Sequence, residues 1–361
     1  MNQQALAQIL IVTASAGLAA CSGPEGAAEA EAGGGAATAA AQEPQTSFTY
    51  PDGSPHPVTP WGDPDLQGMW PIMHLFSTRL QRDPKYGDRR FLNDEEWAEA
   101  QAVLQRREER YRNEIDSNKM GMGHWAETTT RVEAARLTSL ISYPPDGQIP
   151  ALTARGEELV PQFRSDDTHD VFDSPADFDA WDRCITRGLP SSMLPFNYNN
   201  GIQIIQSPGY VVINLEMIHE ARIVPVDDRP PLDSDIKQWL GESRGYWDGA
   251  TLVVETTNFN GKVGMTNVGI PGSPRRDTPT TTGMKVTERF TRVADDQIDY
   301  EMTIEDPEVM TDKWTVSYPM FLDPEYEFFE YACHEGNTAV RNFIETSRYE
   351  RGLTPSGQPR E

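Results

Sequence analysis

Between Gln297 and Glu305 the chain alternates residue by residue. Ile298, Tyr300, Met302 and Ile304 are apolar or aromatic, while Gln297, Asp299, Glu301, Thr303 and Glu305 are polar. A period of two describes a strand with one dry face and one wet face. Met284, Val286 and Phe290 alternate likewise upstream, and Ala294-Asp295-Asp296 supplies the turn, so the two segments form an antiparallel hairpin. A second hairpin is signalled by Tyr246-Trp247-Asp248-Gly249 running into Thr251-Leu252-Val253-Val254, because Asp-Gly tolerates the positive φ of a tight turn. Segments 202–206, 210–217, 221–226, 314–318 and 326–334 raise the count to about nine strands with no helix between them. Sequential antiparallel strands in this number close into a barrel or fold into a sandwich. The expectation is a mainly β protein: an antiparallel up-and-down β-barrel of the lipocalin or calycin-like kind over 201–350.

The preceding half reads differently. Residues 50–70 are dense in Pro and Gly and predict an extended arm pinned by Trp61 and Trp70. Asn93 and Glu96 have capping-box spacing, and Trp97, Ala100, Leu104 and Tyr111 share one side of a helix over 94–112. Short helices are expected from Thr153 and from Pro175, the latter capped by Ser174 and Asp177. Residues 50–200 therefore form a helical and irregular wrap on the barrel, and 351–361 a disordered tail.

The first twenty residues contain an apolar stretch from Leu6 to Ala20, too short to span a bilayer, followed at once by Cys21. Leu18-Ala19-Ala20-Cys21 has the form of a lipobox. Residues 1–20 are read as a lipoprotein signal peptide, Cys21 as the lipidated residue and 21–49 as a flexible Ala/Gly/Glu tether. The protein is then exported and lipid-anchored at the outer membrane, facing the periplasm. Of the three cysteines, Cys184 and Cys333 remain in the mature part; a disulfide and two buried thiols are both open there. With 31 Lys and Arg against 56 Asp and Glu, the net charge of −25 excludes nucleic acid as a partner. A small-molecule ligand or substrate is the partner that remains.

Several runs resemble a family of exported bacterial proteins to which no reaction is assigned. They are Asn197-Tyr198-Asn199-Asn200 with Gln203-Ile204, Glu216-Met217-Ile218-His219-Glu220-Ala221-Arg222-Ile223, Trp239-Leu240-Gly241-Glu242-Ser243-Arg244-Gly245-Tyr246-Trp247-Asp248-Gly249, the run from Thr251 to Phe259, and Tyr331-Ala332-Cys333-His334-Glu335-Gly336-Asn337. The likeness extends from Thr59 to about Arg348, with Lys119 to Trp125 departing from it. It implies export and the fold boundaries, and transfers no chemistry.

The residues themselves suggest where chemistry could lie. Read with period two, Glu216, Glu220 and Arg222 share a strand face, with His219 on the other. His219-Glu220 and His334-Glu335 are two His-Glu pairs near strand ends. Imidazole titrates near neutrality and a carboxylate fixes its tautomer, so His219 or His334 is the expected acid or base. Glu216 or Glu220 would orient it, Arg222 would clamp an oxyanion or carboxylate, and Tyr331 would donate a hydrogen bond. Tyr198, Asn200, Gln203, Glu335 and Asn337 are the expected substrate contacts. No resident metal or cofactor is expected. A divalent ion at His219 and His334, or copper at Met120, Met122 and His124, are the weaker alternatives. Walker and G-x-G-x-x-G motifs are absent. The expected function is acid–base catalysis, as a lyase, isomerase or hydrolase, on a small, partly apolar or aromatic molecule. The alternative is a non-catalytic carrier.

Overall fold

The computed structural model describes residues 47–124, 136–163, 171–265, 269–274 and 277–360. The expected signal peptide, Cys21 and the tether up to residue 46 lie outside the described residues, as does Trp125. Among the described residues ten strands form two antiparallel sheets. The smaller has the order β1 (Gly68–Met69), β3 (Ile202–Ser207), β4 (Tyr210–Leu215), β5 (Glu220–Pro225). The larger has the order β2 (Ile141–Tyr143), β10 (Trp314–Phe321), β9 (Gln297–Glu305), β8 (Lys285–Ala294), β7 (Thr251–Thr257), β6 (Glu242–Asp248).

The alternation seen in the sequence sets the core. Phe290 on β8 pairs with Tyr300 on β9, which pairs with Tyr318 on β10, and all three are buried. Inward residues of the smaller sheet, among them Ile202, Ile204, Ile213 and Val224, belong to the same hydrophobic cluster. Each such side chain contributes about 1.5–3 kcal/mol by leaving water.

The mainly β, antiparallel character stands, but the expected barrel gives way to two separate sheets. Among the described residues β5 and β6 are edge strands that join no common ladder. Their connection, 226–241, opens with Val226-Asp227-Asp228-Arg229-Pro230-Pro231-Leu232-Asp233, whose prolines keep that stretch itself out of a ladder. The expected closing strand over 326–334 does not form either; the segment runs as turns and irregular strap. Its Phe329 N–H bonds the Glu216 carboxylate at 2.9 Å rather than a strand. Gly245 lets the edges approach, since a Cβ there would sit 3.0 Å from the Val224 side chain.

Helix α1 (Asp94–Asp116) begins at the expected Asn93–Glu96 capping box. Helix α2 (Ala154–Leu159) is capped by Thr153, and the Pro175 segment is a single 3₁₀ turn with its Ser174–Asp177 box. Helix α3 (Ala339–Glu350) occupies the end of the span expected to be barrel. Residues 351–360, expected to be disordered, carry a turn joined by a Leu353–Pro359 bridge.

Candidate functional site

The chain reverses between β4 and β5 over Glu216 to His219. Leu215 pairs with Glu220, and both Ile218 (φ 62°) and His219 (φ 45°) adopt left-handed backbone conformations. A β-branched residue there is strained by about 1–2 kcal/mol. This turn breaks the continuous strand face on which Glu216, Glu220 and Arg222 were expected: Glu216 is parted from Glu220 and Arg222, which stay together on β5.

Glu216 is a buried anchor. Its carboxylate accepts from Asn199 Nδ2 (3.0 Å), Gly201 N–H (2.9 Å), Phe329 N–H (2.9 Å) and the Tyr326 hydroxyl. It thereby pins the 326–337 strap to the smaller sheet. His219 is exposed, and its Nδ1 lies 2.9 Å from the Tyr331 carbonyl. Tyr331 stacks on Tyr198 with ring centroids 6.5 Å apart. Burial first, and then Tyr331, push the Tyr198 hydroxyl up to about 12. The strap is closed by a Cys184–Cys333 disulfide, and Asn337 Nδ2 donates to the Asp182 carbonyl at 3.2 Å. His334 and Glu335 are exposed in the turn beside it.

Arg222 points between the sheets. Its guanidinium makes a paired contact with Glu288 on β8 and donates to Ser243 (3.1 Å) on β6 and Thr256 (3.3 Å) on β7. Tyr300 adds its hydroxyl to Glu288 at 2.7 Å. Arg222 is 3% exposed and Glu288 0%. Burial alone would lower the Arg222 pKa, but the Glu288 charge holds it above the usual value. Arg222 therefore staples the two edges together, and the expected oxyanion clamp is already taken by Glu288.

Above that staple lies a cleft of about 720 Å³ between β5 and β6, within the roughly 300–1,000 Å³ typical of small-molecule sites. Glu220, Arg222 and Ile223 form one wall, Glu242, Ser243 and Arg244 the opposite one, and Leu232, Lys237, Trp239 and Leu240 the rim. Two of the runs quoted above, around Glu220 and around Trp239, thus meet in one place. Neither His219 nor His334 lines this cleft.

Glu220 is the titrating group of the cleft. It is half-buried, and burial pushes its carboxyl up to about 7, against the opposing pull of hydrogen bonds from the Thr186 side chain, the Arg187 backbone and Ser192. Ser192 Oγ stands 3.5 Å from Oε2. Behind it lies Arg187, 5% exposed, over the rings of Trp181 (4.8 Å) and Phe196 (5.3 Å). Nη1 donates to the Leu194 carbonyl at 3.3 Å, while Nε and Nη2 have no hydrogen-bond partner among the described residues. Burial pulls this guanidinium down to about 10.

The other expected contacts are engaged elsewhere. Asn200 is buried and exchanges hydrogen bonds with the Phe196 backbone (2.7 and 2.9 Å), and Gln203 accepts from Asn214 at 3.3 Å. Met120 is exposed and His124 Nε2 lies 3.0 Å from the Lys119 carbonyl. Among the described residues no three His, Cys, Asp or Glu side chains converge as metal ligands, and no helix is long and apolar enough to cross a membrane. Sequence reasoning missed Thr186, Arg187, Ser192, Lys237 and Trp239 as site residues. Trp239 stood in a quoted run, but the 186–192 segment has no periodicity to mark it. Comparison with protein-family models, curated proteins and solved structures finds no match to this chain.

Proposed function

We propose that the chain is an acid–base enzyme of the lyase, isomerase or hydrolase type, acting on a small, partly apolar molecule held in the β5–β6 cleft. Glu220 exchanges the proton, in place of the expected histidines. The observation that carries this reading is a carboxyl raised to about 7 by burial on the wall of a ligand-sized cleft. At neutral pH such a group is present in both protonation states, as a general acid or base requires. Trp239, Leu240 and Ile223 offer the apolar surface, and Ser192 and Thr186 orient the carboxyl.

The test is a turnover and binding screen of purified protein against a panel of small organic acids, esters and lactones, run beside Glu220→Gln. The variant should retain binding and lose turnover. Undiminished turnover in Glu220→Gln would refute the role of Glu220. A second reading, a carrier, is favoured by the exposure of both histidines outside the cleft, and it predicts binding without turnover in the unmodified protein. Export and lipid anchoring at Cys21 belong to the same proposal: Cys21→Ser should move the protein from the membrane fraction to the soluble one.

A further inference from the structure

Most charged side chains of the cleft are committed to partners. Arg222 is held by Glu288, Arg229 by the Asp227 carboxylate, and Arg244 lies 3.7 Å from Glu242 and 4.0 Å from Asp227. Two groups are not. Glu220 forms no ion pair among the described residues, and its bonds come from hydroxyls and a backbone N–H. Lys237 likewise forms no ion pair there, and its Nζ reaches only the Thr282 carbonyl, at 3.5 Å. Lys237 at the rim and Glu220 on the wall thus stand outside any ion pair among the described residues, and Trp239 and Leu232 line the same cleft.

A chain of net charge −25 repels anions at long range, so an anion that binds must find a local positive group. Lys237 is such a group. The Arg222 guanidinium beneath is neutralised by its Glu288 pair, which leaves Lys237 to hold the anion. A single free ammonium suits a monoanion better than a phosphate, which calls for several donors or a bidentate guanidinium.

We propose that the ligand of the cleft is a small organic monocarboxylate, anchored by Lys237 through its carboxylate and by Trp239 and Leu232 through its apolar body, so that the rest of the molecule lies toward Glu220. This rests on the cleft being the ligand site, as argued above, and adds the charge class of the ligand and the residue that selects it.

The experiment measures binding of phenylacetate, hexanoate and their two neutral primary amides by ligand-observed NMR and calorimetry at low salt. Each is titrated into the full chain, Lys237→Met, Lys237→Arg and Trp239→Ala. The acids should bind up to about fivefold more tightly than the amides, the scale of one solvent-reachable charge pair. Lys237→Met should erase that preference, Lys237→Arg should keep it, and Trp239→Ala should weaken all four probes. Lys237 is exposed, so its replacement leaves the fold intact. Equal affinity of acids and amides for the unmodified chain would overturn the carboxylate assignment while leaving the cleft reading standing. Preference retained in Lys237→Met would overturn the role of Lys237. Absence of binding by all four probes would overturn the inference together with the cleft reading it rests on.

Discussion

Replacing Glu220 by Gln removes one titration and keeps the shape, so it isolates the electrostatic cost of this site. In the unfolded chain the carboxyl titrates near its ordinary 4.5, and in the fold at about 7. The folded state holds the proton more tightly, so the stabilisation is complete below the unfolded value and is lost as pH rises through 7. The full difference is on the order of 3 kcal/mol, of which about 2.5 kcal/mol falls between pH 5 and pH 8. The Gln amide faces donors from Thr186, Arg187 and Ser192, which adds a penalty that does not depend on pH. Urea unfolding of both proteins at pH 5, 6, 7 and 8 therefore reads the change in their difference rather than its absolute value. Relative to the unmodified chain, Glu220→Gln should gain about 2.5 kcal/mol on going from pH 5 to pH 8. A constant difference across that range would show that Glu220 titrates normally and would remove the physical basis of its proposed role.

Three other perturbations separate structure from chemistry. Arg222→Met strands the buried Glu288 carboxylate and should cost about 3–5 kcal/mol in urea unfolding, with Arg222→Met/Glu288→Leu recovering much of the loss. Cys184→Ser opens a loop of sequence separation 149 and should lower unfolding stability by about 4–5 kcal/mol in the chain-entropy view, a loss that reduction of the unmodified protein should reproduce in a thermal melt. His219→Ala removes one contact of an exposed side chain to the Tyr331 carbonyl; calorimetric melting should change by less than about 1 kcal/mol, and phenylacetate binding should be unaltered. Loss of binding in that variant would return the histidine to the site.

The strands around Tyr300 were legible because each has one wet face, and the dry residues Ile298, Tyr300, Met302 and Ile304 stand out at period two. Glu288 breaks the pattern of its strand. It lies inward, and its burial depends on Arg222, which is 66 residues away and on the other sheet. No local pattern reports such a pairing. The barrel failed for a similar reason. The alternation in 326–334 looked like a strand, yet its backbone is claimed by a side chain, Glu216, across the fold. Period-two reading also failed between Glu216 and Glu220, since the left-handed backbone at Ile218 and His219 reverses the chain there, while Glu220 and Arg222 keep it on β5. Glu220 was among the expected residues, but as a partner of histidine. What raises its proton affinity is burial behind the irregular 186–192 segment, which a sequence pattern does not reveal.

The most direct measurement is the titration of Glu220 itself, followed by carboxyl carbon NMR of protein labelled at glutamate and assigned by the signal missing in Glu220→Gln. The account predicts a midpoint of about 7 in the free protein, displaced by saturating phenylacetate. A midpoint near the ordinary 4.5, unmoved by the probe, would contradict it.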